Sequence, residues 1–144
     1  MRKLFDIFVS LLHSPLQSET VVKHTFASLR AFIRKFPALL FRGNSLFCGT
    51  LCYEILRCCN SRLASTRSEA CGLLYLLMRS NFEFSQRKGF TRVHLQVIVA
   101  VSQLISDVVG LSGNRFQGKK WVDVFIHSFI HSFIHSCIHT FIHS

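Results

Sequence analysis

Three groups of residues in this chain have the means to do chemistry. The most regular is a row of imidazoles. His127, His131, His135, His139 and His143 recur every four residues in a tail that reads FIHS-FIHS-FIHS-CIHT-FIHS. On a helix, His residues four apart can share one metal ion. A period of four drifts about 40° per step against the helical turn, so only neighbouring pairs would meet. On a strand, Phe and His would share one face, with Ile and Ser on the other. The genetic code offers a simpler origin. TTC-ATT-CAT-TCA encodes Phe-Ile-His-Ser and is also the tetranucleotide TTCA written three times; Cys137 and Thr140 each need one base change. No selected metal site is assigned to the tail, although imidazoles at this density would take up nickel or zinc adventitiously.

The second group is the six cysteines, Cys48, Cys52, Cys58, Cys59, Cys71 and Cys137. Cys48 and Cys52 lie one turn apart on a predicted helix, while Cys58 and Cys59 are adjacent and cannot easily face one ligand. No CxxC pair exists and no His lies near them in sequence, so the spacing of a zinc site is missing. They read as buried small hydrophobes in a reducing compartment. The third group is the seven carboxylates, scattered with no close pair, together with the isolated His13, His24 and His94. These histidines read as surface or interhelical residues. There is no Gly-x-Ser-x-Gly, no Walker loop and no Gly-rich dinucleotide turn. No catalytic, cofactor-binding or metal-ligating residue is assigned, and no cofactor is expected.

The elements that would position such groups are helical. A first helix is predicted over residues 2–13, with Leu4, Phe8, Leu11 and Leu12 on its apolar side. Ser14 and Gln17 form a capping-box pattern, with Pro15 at the first position of a second helix. That helix runs to about Phe36, burying Val22, Phe26, Leu29, Ile33 and Phe36 and presenting Lys23, Arg30 and Arg34. Pro37 breaks it, and residues 38–41 could add one turn before Gly43-Asn44. Ser45 is predicted to cap a third helix, 46–59, with Leu51, Ile55 and Cys59 aligned and Gly49 weakening its first part. Thr66 and Glu69 make a second capping box, opening a helix that ends at Met78. The polar triplet Arg79-Ser80-Asn81 stops it, and a linker covers 82–89. A last helix is predicted over 91–109, ended by Gly110 and then Ser112-Gly113-Asn114. Its two apolar rows, Val93-Val97-Val101-Leu104-Val108 and Leu95-Ile98-Ser102-Ile105-Val109, predict burial on more than one side. The β-branched residues lean towards strand, but a strand of about 19 residues would be far outside the usual range.

The central stretch LLYLLMRSNFEFSQRKGFTRVHLQVIVAVSQLI, with SLRAFIRKFPALLFRG and LCYEILRCCNSR upstream, resembles the dedicator-of-cytokinesis (DOCK) family, and within it the zizimin-like subgroup. The resemblance covers roughly residues 1–117. It implies a fragment of the helical, armadillo-like region ahead of that family's catalytic domain, which grips a Rho-family GTPase and helps expel its nucleotide. Nothing matches the catalytic domain, so none of its residues can be placed here. The resemblance fades after Gln117. Gly118-Lys119 can be written GGT-AAG, which contains the splice-donor word GTAAG, so the tail is expected to be read-through into an intronic repeat.

Composition sets the remaining bounds. The chain has 144 residues, room for one domain, and its hydrophobic fraction of 49% suffices for a core. The formal net charge is +10, and without the residues from Gly118 onward it falls only to +9. The basic residues lie singly or in pairs with no aromatic stripe, so they read first as solvated helix faces, with an anionic partner or membrane surface as the alternative, and no nucleic-acid partner is expected. Met1-Arg2-Lys3 and the apolar run behind it imitate a signal peptide, but Asp6 interrupts the run and no cleavage site follows. No transmembrane segment is expected.

The expectation is therefore an all-α, armadillo-like solenoid fragment over 1–117 and a non-homologous low-complexity tail over 118–144. A fragment of this kind would expose apolar faces at both ends, which lowers its independent stability. The implied role is that of a truncated, cytoplasmic member of an exchange-factor family, carrying scaffold and no exchange activity. Rho-family GTPases would be partners only through a full-length relative. The alternatives are a stand-alone helical interaction module, with a protein partner or self-association within the family, and a non-functional read-through product.

Overall fold

Apolar side chains at three- and four-residue spacing make one-sided helices that must pack on one another. The computed structural model describes residues 2–14, 17–86 and 92–111. Six helices account for nearly all of them: α1 Arg2–His13, α2 Glu19–Lys35, α3 Pro37–Phe41, α4 Ser45–Cys59, α5 Ala64–Phe84 and α6 Arg92–Leu111. No strand occurs among the described residues, so the fold is all-α as expected. Residues up to Leu104 form one compact unit and a second begins at Ile105; of the second, residues 105–111 of α6 are described. The tail, Pro15 and the basic pair Arg87-Lys88 lie outside the described residues.

The central pair is α4 and α5. α4 packs on α1, α3 and α5, and α5 packs also on α2 and α3. Leu51, Ile55 and Cys59 line up on the inner side of α4 as the spacing predicts, joined by Cys48, Cys52 and Leu56. Phe26, Leu29 and Ile33 of α2 are buried too, and α2 packs on α5, α1 and α3. Burying one such side chain fully is worth about 1.5–3 kcal/mol relative to leaving it exposed. An aromatic cluster ties α1 to its neighbours. Phe5 meets Phe47 of α4 edge-on at 5.0 Å between ring centroids, and Phe8 meets Phe32 of α2 at 5.9 Å. Phe5 therefore takes the inward place expected of Leu4, which is exposed. A second cluster joins Phe41 of α3 to Phe84 of α5 at 5.6 Å, with the Arg42 guanidinium over the Phe84 ring.

Several helix ends differ from expectation. α2 begins at Glu19, where Ser18 accepts a hydrogen bond from the Val21 amide; the Ser14–Gln17 pattern caps nothing. Serine at position 18 satisfies the same orphan amides four residues later, with Glu19 in the first turn favoured by the helix dipole. Asn44, one residue before Ser45, caps α4 by accepting from the Leu46 amide at 2.9 Å. Thr66 and Glu69 form no capping box. α5 already starts at Ala64, Thr66 is buried inside it, and Glu69 reaches across to α2.

The largest correction concerns the polar triplet in α5. Arg79-Ser80-Asn81 does not stop the helix, which runs on to Phe84 and turns at Gln86 with φ 57°. Polar residues end a helix only when nothing better satisfies them. Here the Arg79 Nε donates to Glu83 at 2.9 Å, a pair at helical spacing. Asn81 points inward and its Oδ1 accepts from the Val93 amide at 3.1 Å. One side chain thus serves as a buried cap for α6 while leaving α5 unbroken.

α6 corrects the expectation of burial on two sides. Val93, Val97 and Ala100 are buried. Leu95 is 55% exposed and Ile98 56%, so the first two positions of the second apolar row face outward. Gly49 also has a role beyond weakening α4. A Cβ at this position would lie 2.5 Å from the Gln96 Oε1, so a larger residue would require the Gln96 side chain of α6 to move aside.

Candidate functional site

The charged residues inside this fold act as fasteners between helices. Glu54 of α4 is the most enclosed, with its side chain only 6% exposed. Arg57, one turn on, donates from Nε to the Glu54 Oε2 at 2.9 Å. The same guanidinium donates through Nη2 to the Leu12 carbonyl at 2.6 Å, satisfying one of the open acceptors at the end of α1. His13, the last residue of α1, meets the other Glu54 oxygen at 3.1 Å. The group fixes the α1 end onto α4 and leaves the carboxylate fully partnered. His13 is thus an interhelical residue, as expected.

A second fastener joins α2 to α5, where Arg30 donates to Glu69 at 2.6 Å. Both side chains are about a third exposed, so solvent screens the pair and its net worth is of order 1 kcal/mol or less. Arg30 is therefore no purely solvated cation. A third fastener holds the start of α6: Arg92 donates to the Gly43 carbonyl while Asn81 receives the Val93 amide. At the α4–α5 corner, Arg67 folds back to donate to the Ser61 and Arg62 carbonyls, each at 2.9 Å. No buried side-chain nitrogen or oxygen among the described residues lacks a partner.

The cysteines are less uniform than small hydrophobes would be. Cys48 and Cys52 share a hydrogen bond on the buried side of α4, which lowers the Cys48 thiol and raises that of Cys52. Cys59 and Cys71 approach across α4 and α5 with sulfurs 3.8 Å apart. Cys71 is exposed and its thiol is held down to about 6, first by the hydrogen bond it shares with Cys59 and further by the Arg67 guanidinium, against the effect of partial burial. Cys59 is pushed up, by that same hydrogen bond and by burial. Cys58 is pushed up to about 11 by burial. Residues 59 and 71 lie on different helices, and their pairing has no signature in local spacing.

Among the described residues no group of three or more His, Cys, Asp or Glu side chains could hold a metal ion. No described helix is long and apolar enough to cross a membrane. The site that remains is the outward row of α6, where Leu95, Ile98 and Val99 are exposed.

Comparison with known proteins places these residues in context. Dedicator of cytokinesis protein 11 of Danio rerio is 58% identical over 117 residues, which cover 81% of this chain and 6% of that protein. Dedicator of cytokinesis protein 9 of Homo sapiens is 54% identical over the same length and coverage. The human protein 7 is 44% identical over 97 residues, 66% of this chain and 4% of that protein. The chain thus spans only a small fraction of the relatives it matches. No family model and no solved structure matches it. Identity above one half across 117 residues, on a framework whose polar interior is spent on joining helices, makes this chain a member of the dedicator-of-cytokinesis family in the form of a short helical segment.

Proposed function

We propose that this chain carries helical scaffold from an exchange-factor family that acts on Rho-family GTPases, and no exchange activity of its own. The observation that supports this is the size and character of the match: 117 residues, 6% of the relative, with no cluster of reactive groups in the described part beyond paired thiols. Nucleotide exchange needs a surface that holds the GTPase while an inserted group disturbs the phosphates and magnesium. The charged groups of the described helices are engaged in joining elements, Arg57 to Glu54 and the Leu12 carbonyl and Arg30 to Glu69, which is the work of a scaffold. We extend the proposal to an armadillo-like stacking of the six helices, to a cytoplasmic setting, and to a boundary near Gln117 between family segment and low-complexity tail.

A second reading is favoured by the α6 face. In a helical stack each outer row is covered by the next helix. Here Leu95 and Ile98 are uncovered, so the chain could bind a helical partner, including a full-length relative, as a stand-alone module. Release of a fluorescent guanine nucleotide from Rho-family GTPases tests the main proposal. The intrinsic rate is expected to stay unchanged at any dose of the purified chain. Dose-dependent acceleration would place an active surface on this segment and overturn the scaffold assignment.

A further inference from the structure

The α4–α5 contact holds an arrangement that scaffold does not require. Cys59 is the last residue of α4 and is buried at 7% exposure, while Cys71 lies on α5 and faces solvent. Their sulfurs are 3.8 Å apart, close to van der Waals contact. Beside Cys71 is Gly72, around which a Cβ would meet nothing within 4 Å, so the approach to this stretch of α5 is open. Cys59 is the last residue of its helix, followed directly by the turn at Asn60 and Ser61.

We propose that Cys71 and Cys59 form an oxidisable dithiol, in which Cys71 attacks a hydroperoxide and Cys59 resolves the product to a disulfide. In the first step the Cys71 thiolate takes the terminal oxygen of ROOH. A sulfur–oxygen bond forms, the peroxide O–O bond breaks, and RO⁻ leaves to be protonated to ROH. In the second step the Cys59 sulfur attacks the sulfenic acid. The S–S bond forms, the S–O bond breaks, and hydroxide leaves with the Cys59 proton as water. Two thiols lose two electrons in all, and one hydroperoxide is reduced to alcohol and water.

Access and charge decide the order of events. Cys71 is the exposed partner, and the groups facing it are the Cys59 thiol from α4 and Arg67 from its own helix, both of which favour the thiolate. Cys59 is enclosed and protonated, so it cannot be the first to react. Cys58 is adjacent in sequence but partly buried and held protonated, which makes it a poor competitor. A disulfide needs its sulfurs at about 2.05 Å, so rotation of the two side chains with a small shift at the α4 end would complete the bond.

The test is peptide mapping of the full chain after hydrogen peroxide treatment and alkylation. The expected product is a linked Cys59–Cys71 peptide, reversed by dithiothreitol. Cys58 shares a tryptic peptide with Cys59, so Cys58→Ser assigns the bond and is expected to leave it intact. Cys59→Ser should strand Cys71 as a sulfenic acid trapped by dimedone. Cys71→Ser should slow oxidation of Cys59 by roughly tenfold or more, as removal of the more reactive thiolate requires. A bond between other cysteines, equal oxidation of all thiols, or no linked peptide in the wild-type chain would each overturn the proposal.

Discussion

Cys71 shows how one residue's chemistry depends on partners that sequence spacing does not reveal. Its thiol is held down to about 6 in the fold, against an ordinary value of 9.0. The folded chain therefore binds fewer protons at this site between those limits than the unfolded chain does. Stability must then rise with pH through that window and be lost as pH falls towards 6. Above 9 the raised Cys59 thiol acts the other way, because the folded chain keeps a proton that the unfolded chain releases. Urea midpoints of the reduced chain between about pH 6 and 9 should show the rise, and Cys71→Ser should remove most of it. A parallel pH profile in the variant would contradict the account. Little of this was legible beforehand. The sequence shows that the adjacent Cys58 and Cys59 cannot easily face one ligand, but residues 59 and 71 meet only because the corner between α4 and α5 folds back. Glu54 looked like one of several scattered carboxylates. The available signal was Arg57 three residues on, at helical spacing.

At the scale of the helix, the cores were legible and the ends were not. Phe26, Leu29 and Ile33, and Leu51, Ile55 and Cys59, stand on the buried faces their spacing assigns them. Periodicity reports burial, and burial is what holds these helices. Ends depend on which donor or acceptor finds a better partner elsewhere. Ser14, Thr66 and Ser45 have the residue types of caps, but Ser18 and Asn44 do that work for two helices and no side chain does it for α5. Asn81 is the most informative case, since it resembles a stop signal and is instead a buried acceptor for α6. Asn81→Ala should leave the Val93 amide unpaired in the interior and cost about 1–3 kcal/mol. Chemical denaturation checks this, with helix content by circular dichroism as the control for folding. A change below about 0.5 kcal/mol, the level of an ordinary surface substitution, would mean that water replaces the Asn81 oxygen.

At the scale of the whole molecule, the described helices are joined by contacts between Arg57 and the Leu12 carbonyl, Arg30 and Glu69, and Asn81 and the Val93 amide, with Leu95 and Ile98 of α6 exposed. The two apolar rows of α6 suit a helix with neighbours on both sides, and among the described residues Val93, Val97 and Ala100 are covered while Leu95 and Ile98 are exposed. The family could be recognised because word order along the chain survives at 58% identity. What the segment does on its own could not be recognised in the same way, because it matches so little of each relative.

A helical scaffold whose central pair is α4 and α5 should hold that core together in the chain alone, even with apolar residues of α6 exposed. Amide hydrogen exchange on the full chain, followed by mass spectrometry, tests it most directly. Buried residues such as Leu51, Ile55, Leu73 and Leu77 should sit in the slowest-exchanging segments, with the first turn of α1 much faster. That gradient would show a cooperative core centred on α4 and α5. Fast exchange throughout all six helices, within about tenfold of an unfolded chain, would mean that the framework holds only with further helices packed against it.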